Sequence, residues 1–242
     1  MEKEYLFNKK VKCAVCQEMF EAKTVRTARI RRQQPDFDLR PRFQDIDTIK
    51  YDVYSCPHCG YTALSRYFDP LTKGQISQVL ENICMHFTPP EGPEPEVYDY
   101  DYAIARYEQA LKCSNIKKAK VSEIAYTCLK LSWIYRAYGE GLPESEVAGA
   151  KQKEEDYYKK AYEGFQKALT TEDFPICGMD SLTMDYLLAC IACHFKEYSF
   201  ASKAVSNILG SQVADRRMKD KALDLKDIIV SAIKKEAEKK NA

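Results

Sequence analysis

The sequence predicts a mainly α protein: a small β-rich zinc ribbon followed by an irregular tetratricopeptide-like helical array. Three observations carry this reading. Two Cys-x-x-Cys units, Cys13/Cys16 and Cys56/Cys59, lie near the N-terminus. A proline-rich acidic segment, Pro89 to Glu96, interrupts the chain. Beyond it, small and large residues recur three times at one helical spacing.

Residues 1–66 read as the ribbon. Val11 and Met19-Phe20 flank the first cysteine pair as short strands flank a metal turn. Ile49, Tyr51 and Val53 alternate, which predicts a strand from Ile49 to Tyr54 running into Cys56. The 39 residues between Cys16 and Cys56 must loop out, and they carry Arg26, Arg29, Arg31, Arg32, Arg40 and Arg42.

Residues 67–96 read as one helix and a linker. Leu71, Ile76, Val79, Leu80, Ile83 and Phe87 recur at helical spacing, with Asp69 as the expected N-cap. The prolines that follow remove backbone donors and fix φ, so neither helix nor central strand continues.

Residues 97–242 read as the helical domain. Ala103, Tyr107 and Ala110 share their spacing with Ala161, Phe165 and Ala168, and with Ala201, Val205 and Ile208. The pattern resembles the second helix of a tetratricopeptide repeat, in which the small residue admits a partner helix closely. Leu131-Ser132-x2-Tyr135 and Leu188-Ala189-x2-Ala192 repeat the offsets of a first helix. The periods of 58 and 40 residues exceed the usual repeat length of about 34, so the array is irregular. A long helix is expected from Glu144 to Leu169. A capping helix is expected where Met218, Ala222, Leu225, Ile229 and Ile233 form one stripe.

The chemistry concentrates in the cysteines. Two thiolates two residues apart chelate one face of a tetrahedral ion, and turn amides donate to the sulfurs. Gly60 follows the second pair, where a left-handed φ suits the turn, whereas Gln17 stands at the equivalent place after the first. Cys13, Cys16, Cys56 and Cys59 are therefore the expected ligands of one structural Zn2+, with no coordination position left for catalysis. A redox dithiol would need a βαβ context that neither pair has. His58 reads as an exposed knuckle residue; Cys84, His86, Cys190, Cys193 and His194 read as helix packing.

Composition excludes little else. Of 242 residues, 37 are basic and 36 acidic, a net charge of +1 that demands neither nucleic acid nor an anionic membrane. The N-terminus lacks the apolar segment of a secretory signal, and the longest apolar run falls short of the roughly 20 residues that span a bilayer. A cytoplasmic protein with ten reduced cysteines is expected.

The order of motifs carries a resemblance. Cys13-x-x-Cys16, the insertion ending Asp38-Leu39-Arg40-Pro41-Arg42-Phe43, the segment Tyr51-Asp52-Val53-Tyr54, Cys56-Pro57-His58-Cys59-Gly60-Tyr61 and Leu131-Ser132-Trp133-Ile134-Tyr135-Arg136 together resemble the bacterial domain-of-unknown-function 2225 family. The resemblance implies a zinc-ribbon-like start joined to tetratricopeptide-like helices, and cysteine ligands at 13, 16, 56 and 59. It implies no activity.

A non-enzymatic interaction scaffold is the expected function, with a protein or peptide partner on the helical array. Tyr98, Tyr100, Tyr102, Tyr126, Trp133, Tyr135 and Tyr138 are its candidate anchors, although any single tyrosine is expected to pack between helices instead. The alternative is nucleic-acid binding through the ribbon and its arginines. Residues 1–60 hold 12 Lys and Arg against 9 Asp and Glu, a small excess, and the insertion is expected to be a solvated arginine-rich loop or to dock on the helical part, for which the acidic segment 67–111 offers a partner. The sequence has no glycine-rich phosphate loop, Gly-x-Ser-x-Gly turn or His-Glu-x-x-His motif, so an enzyme is not expected.

Overall fold

The structure, a computed structural model, describes residues 2–241. Its ordered elements are strands β1 (Leu6–Lys12), β2 (Met19–Val25), β3 (Val53–Ser55) and β4 (Thr62–Leu64), followed by helices α1 (Lys73–Asn82), α2 (Tyr100–Ile116), α3 (Val121–Glu140), α4 (Val147–Thr171), α5 (Ser181–His194), α6 (Tyr198–Gly210) and α7 (Arg216–Asn241). The fold is mainly α with two small sheets at the N-terminal end, as the periodicity indicates.

Two compact units form: Met1–Asp36 with Arg40–Gly164, and Phe37–Leu39 with Phe165–Ala242. The division falls inside α4, and in the first unit the ribbon shares a core with α1 and α2.

In the first unit, two antiparallel hairpins carry the cysteine pairs. Lys12 opposes Met19 and Ser55 opposes Thr62, so each Cys-x-x-Cys is a hairpin loop. The expected strand from Ile49 is shorter: Thr48–Tyr51 is a 3-10 helix, and β3 begins only at Val53. Asp47 dictates this, since its side chain caps the 3-10 turn by accepting from Ile49 N (3.2 Å). Ile49, Tyr51 and Val53 are buried, but so are Lys50 and Tyr54, so burial does not alternate along the segment. The N-cap of α1 is Thr72 rather than Asp69, because Thr72 and Gln75 form a reciprocal capping box.

Helix α2 is built onto the ribbon. Tyr107 Oη donates to Ile49 O (2.9 Å), Arg106 Nη2 to Val53 O (2.9 Å), and Tyr51 Oη accepts from Tyr98 N (3.2 Å). The acidic linker is tied down as well, with Glu94 pairing Lys23 and Arg106, and Glu96 pairing Lys3. The sequence suggests that a fragment starting near Tyr98 is independent; these buried contacts argue against it, because cutting there strips α2 of its packing partner.

Helices α3 and α4 approach closely within the same unit. A Cβ on Gly164 would lie 2.7 Å from Ala125 Cβ, and Tyr135 stacks on Tyr157 with ring centroids 5.7 Å apart. Gly164→Ala is expected to destabilise the chain by about 1–3 kcal/mol through overpacking, measured by chemical denaturation. Ala125→Gly should recover much of the loss in the double variant.

The second unit packs α6 against α5 and α7, and Phe37 joins it, its carbonyl accepting from Tyr186 Oη (3.1 Å). Along α7, Ala222, Leu225 and Ile229 are buried, while Ile233 at the end of the expected stripe is 43% exposed. All nine marker residues of the three second-helix patterns are buried, as are the six of the two first-helix patterns. Of the candidate anchors, Tyr98, Trp133 and Tyr135 are buried, which is the packing expected of any single tyrosine. Among the described residues, no helix is long and apolar enough to cross a membrane.

Candidate metal centre

The two hairpin loops are near copies. Cys13 N donates to Glu18 O (2.9 Å) and Gln17 N to Cys13 O (3.0 Å); in the second loop Cys56 N donates to Tyr61 O (2.9 Å) and Gly60 N to Cys56 O (3.0 Å). Both turns need a left-handed residue, and both obtain one: Gly60 has φ +75° and Gln17 φ +66°. Gln17 thus replaces the glycine functionally, and its side-chain Nε2 donates to Ala14 O (3.0 Å).

Gly60 has a second reason to lack a side chain, since a Cβ there would come within 2.3 Å of the Phe87 ring. Gly60→Ala is expected to destabilise the chain by about 1–3 kcal/mol, whereas Gln17→Gly removes left-handed strain and should cost nothing or stabilise by up to about 1 kcal/mol. Thermal denaturation of the two variants tests the contrast.

The equivalent turns bring the sulfurs together crosswise. Cys13 Sγ lies 3.7 Å from Cys59 Sγ and Cys16 Sγ 3.6 Å from Cys56 Sγ, and all four Sγ atoms fall within 4.8 Å of one another. Cys13, Cys56 and Cys59 are buried and Cys16 is half-buried, in a core that includes Phe20, Tyr61 and Phe68. Val15 N donates to Cys13 Sγ (3.4 Å). Hydrogen bonds from Cys56 and Cys59 pull the Cys13 thiol down to about 2, while donating to Cys13 pushes Cys56 up to about 12 and Cys59 above the usual thiol range. Four thiolates this close would repel one another, a cost that a cation among them would offset.

Among the described residues, this is the cluster of His, Cys, Asp or Glu side chains able to hold a metal ion. The four expected residues are the four brought together.

The sequence model of a family described as an uncharacterized protein conserved in bacteria, DUF2225, matches residues 6–229. The chain belongs to that family. No curated protein and no solved structure matches it. The DUF2225 match contains both cysteine loops and ends at Ile229, the last buried position of α7 among the described residues.

The other candidates are not among the four clustered sulfurs in this family member. His58 is exposed, with Nε2 3.3 Å from Met19 O. Cys113, Cys128 and Cys190 are buried; burial pushes the Cys113 and Cys128 thiols up to about 11. Cys84 packs against the cysteine core and interacts with Cys59, a neighbour that its position near a helix end does not reveal.

The basic insertion divides. Arg40 is buried and Arg42 half-buried, and both pair with Asp36 and with Glu140 at the C-terminus of α3. Arg26, Arg29, Arg31 and Arg32 are exposed. The acceptors are therefore Asp36 and Glu140 rather than the segment 67–111. Although burial opposes it, Arg42 and Arg40 hold the Glu140 carboxyl below the usual carboxylate range.

Proposed function

We propose that Cys13, Cys16, Cys56 and Cys59 hold one structural Zn2+ and that the chain is a non-enzymatic interaction scaffold. One observation supports the metal most: Zn–S bonds of about 2.3 Å place tetrahedral sulfurs about 3.8 Å apart. The crosswise spacings of 3.6 and 3.7 Å match that edge and are far too long for disulfides. Four thiolates close the coordination shell, so the ion crosslinks the two hairpins and leaves no site for substrate.

The scaffold reading is supported by the buried helical markers, which suit paired helices of tetratricopeptide type. A protein or peptide is the proposed partner. The half-buried Tyr100, Tyr102, Tyr126 and Tyr138 remain as candidate anchors. Affinity purification of the full chain, with co-purifying molecules identified before and after nuclease treatment, tests it. A stoichiometric protein that survives nuclease is the expected result. Nucleic acid as the sole stoichiometric companion, lost on nuclease treatment, favours the ribbon and its exposed arginines instead.

A further inference from the structure

Three residues of the second unit come from far away in the chain. Phe37–Leu39 belong to it, while Asp36 and Arg40 on either side belong to the first unit. Those two residues close the tip on itself: Asp36 N donates to Arg40 O (2.9 Å), and Arg40 pairs with the Asp36 carboxylate (3.6 Å). Within the tip Leu39 takes φ +70°, a left-handed conformation that a leucine adopts only under constraint. The tip is thus a tight knob whose shape is set by its own feet rather than by the helices it touches. A knob shaped in advance loses little conformational entropy on docking.

The face that receives it is equipped for main chain, ring and acid. Tyr186 and Cys190, one turn apart on α5, both donate to the Phe37 carbonyl, Tyr186 Oη at 3.1 Å and Cys190 Sγ at 3.5 Å. The Phe37 ring lies 6.1 Å from that of Tyr186 and stays 39% exposed, whereas Asp38 is 4% exposed. Lys221 of α7 holds its ammonium 5.4 Å from the centre of the Tyr186 ring. Burial pushes the Cys190 thiol up; Asp38 adds to that rise and Lys221 opposes it, so both charges lie near this sulfur. Hydrogen bonds to main chain supply affinity in peptide recognition, and contacts to particular side chains supply specificity.

We propose that Tyr186, Cys190 and Lys221 form a docking site for a surface turn of a partner protein in which an aromatic residue is followed by an acidic one, and that Phe37 and Asp38 occupy this site in cis. The inference rests on the scaffold reading and names the chemistry of its partner. A tethered knob acts at an effective concentration on the order of millimolar, so it fills the site until a partner of higher affinity displaces it. The cis contact therefore sets a threshold that a weakly matching peptide does not cross.

A head-to-tail cyclic peptide of residues 35–41 is the probe, and isothermal titration calorimetry of the full chain reads its binding. Phe37→Ala combined with Asp38→Ala empties the site, and this variant should bind the probe about tenfold or more tightly than the native chain does. Adding Tyr186→Phe keeps the ring, removes the donor and should weaken the probe about fivefold. Phe37→Ala alone, at a partly exposed position, takes the place of the double variant if that loses its melting transition. Absence of binding by the emptied chain, equal binding by native and emptied chains, or an affinity unmoved by Tyr186→Phe overturns the proposal. Failure of the scaffold reading shows elsewhere, as the absence of a protein companion in affinity purification of the native chain.

Discussion

Cys13→Ser and Cys56→Ser are each expected to lose the bound metal and to unfold the N-terminal hairpins, the largest effect of any single substitution in this chain. The reason is architectural. Each hairpin has only two strands, β3 and β4 being three residues long, and such hairpins are marginal alone. The four sulfurs gather from loops 39 residues apart in sequence, so an ion among them closes a long loop as well as joining two sheets. Structural zinc sites supply an apparent free energy of about 10–16 kcal/mol in small domains, much of which one missing thiolate forfeits. Metal content by atomic absorption should fall from one zinc per chain to near zero, and proteolysis should open residues 6–64 first. His58→Ala, at an exposed position, should retain the ion. Full zinc retention in both serine variants would overturn the assignment.

The cysteine site was legible in the sequence because its signal is local: a thiolate pair in a tight turn needs only four residues. Even there the left-handed Gln17 was read as a departure from the motif, although the hairpin imposes that φ on whatever residue stands in the turn. Helical markers were legible for a similar reason, since each of Ala103, Ala161 and Ala201 is followed four and seven residues on by another buried residue. Less readable was any feature settled by distant partners. Burial of Ile49, Tyr51 and Val53 is compatible with a strand or a 3-10 turn, since Lys50 between them is buried as well, and the Asp47 cap decides between the two. The ribbon and α2 interlock through Tyr107 and Ile49, 58 residues apart, and no periodicity encodes that bond. The same holds for Arg40, whose carboxylate partner Glu140 lies 100 residues away.

Another such long-range contact, between Lys130 and Asp52, yields the second large expected effect. Lys130 lies on α3, is 7% exposed, and donates from Nζ to Asp52 Oδ2 (2.6 Å) just before β3. Its ammonium also sits 5.4 Å from the ring centres of Tyr126 and Trp133. Asp52→Ala leaves that charge buried and uncompensated, and should destabilise the chain by about 3 kcal/mol, the low end for buried pairs because Asp52 is 38% exposed in its side chain. Lys130→Met should cost less, since it removes the buried charge and returns Asp52 to water. Adding Asp52→Ala to Lys130→Met should then change little, a strong departure from additivity in a double-mutant cycle. The pH dependence has a definite sign. Burial is the largest single influence on the Lys130 pKa and lowers it, but the Asp52 carboxylate and the Tyr126 hydroxyl together outweigh it and the net shift is upward. A group whose folded pKa is raised stabilises the fold fully below its unfolded value and loses that contribution as pH climbs through the folded one. The gap between the native chain and Asp52→Ala should therefore hold from about pH 6 to 9 and close only in stronger alkali. Additive losses in the cycle, or a gap that closes already below about pH 9, would show that the pair does not hold α3 to the ribbon.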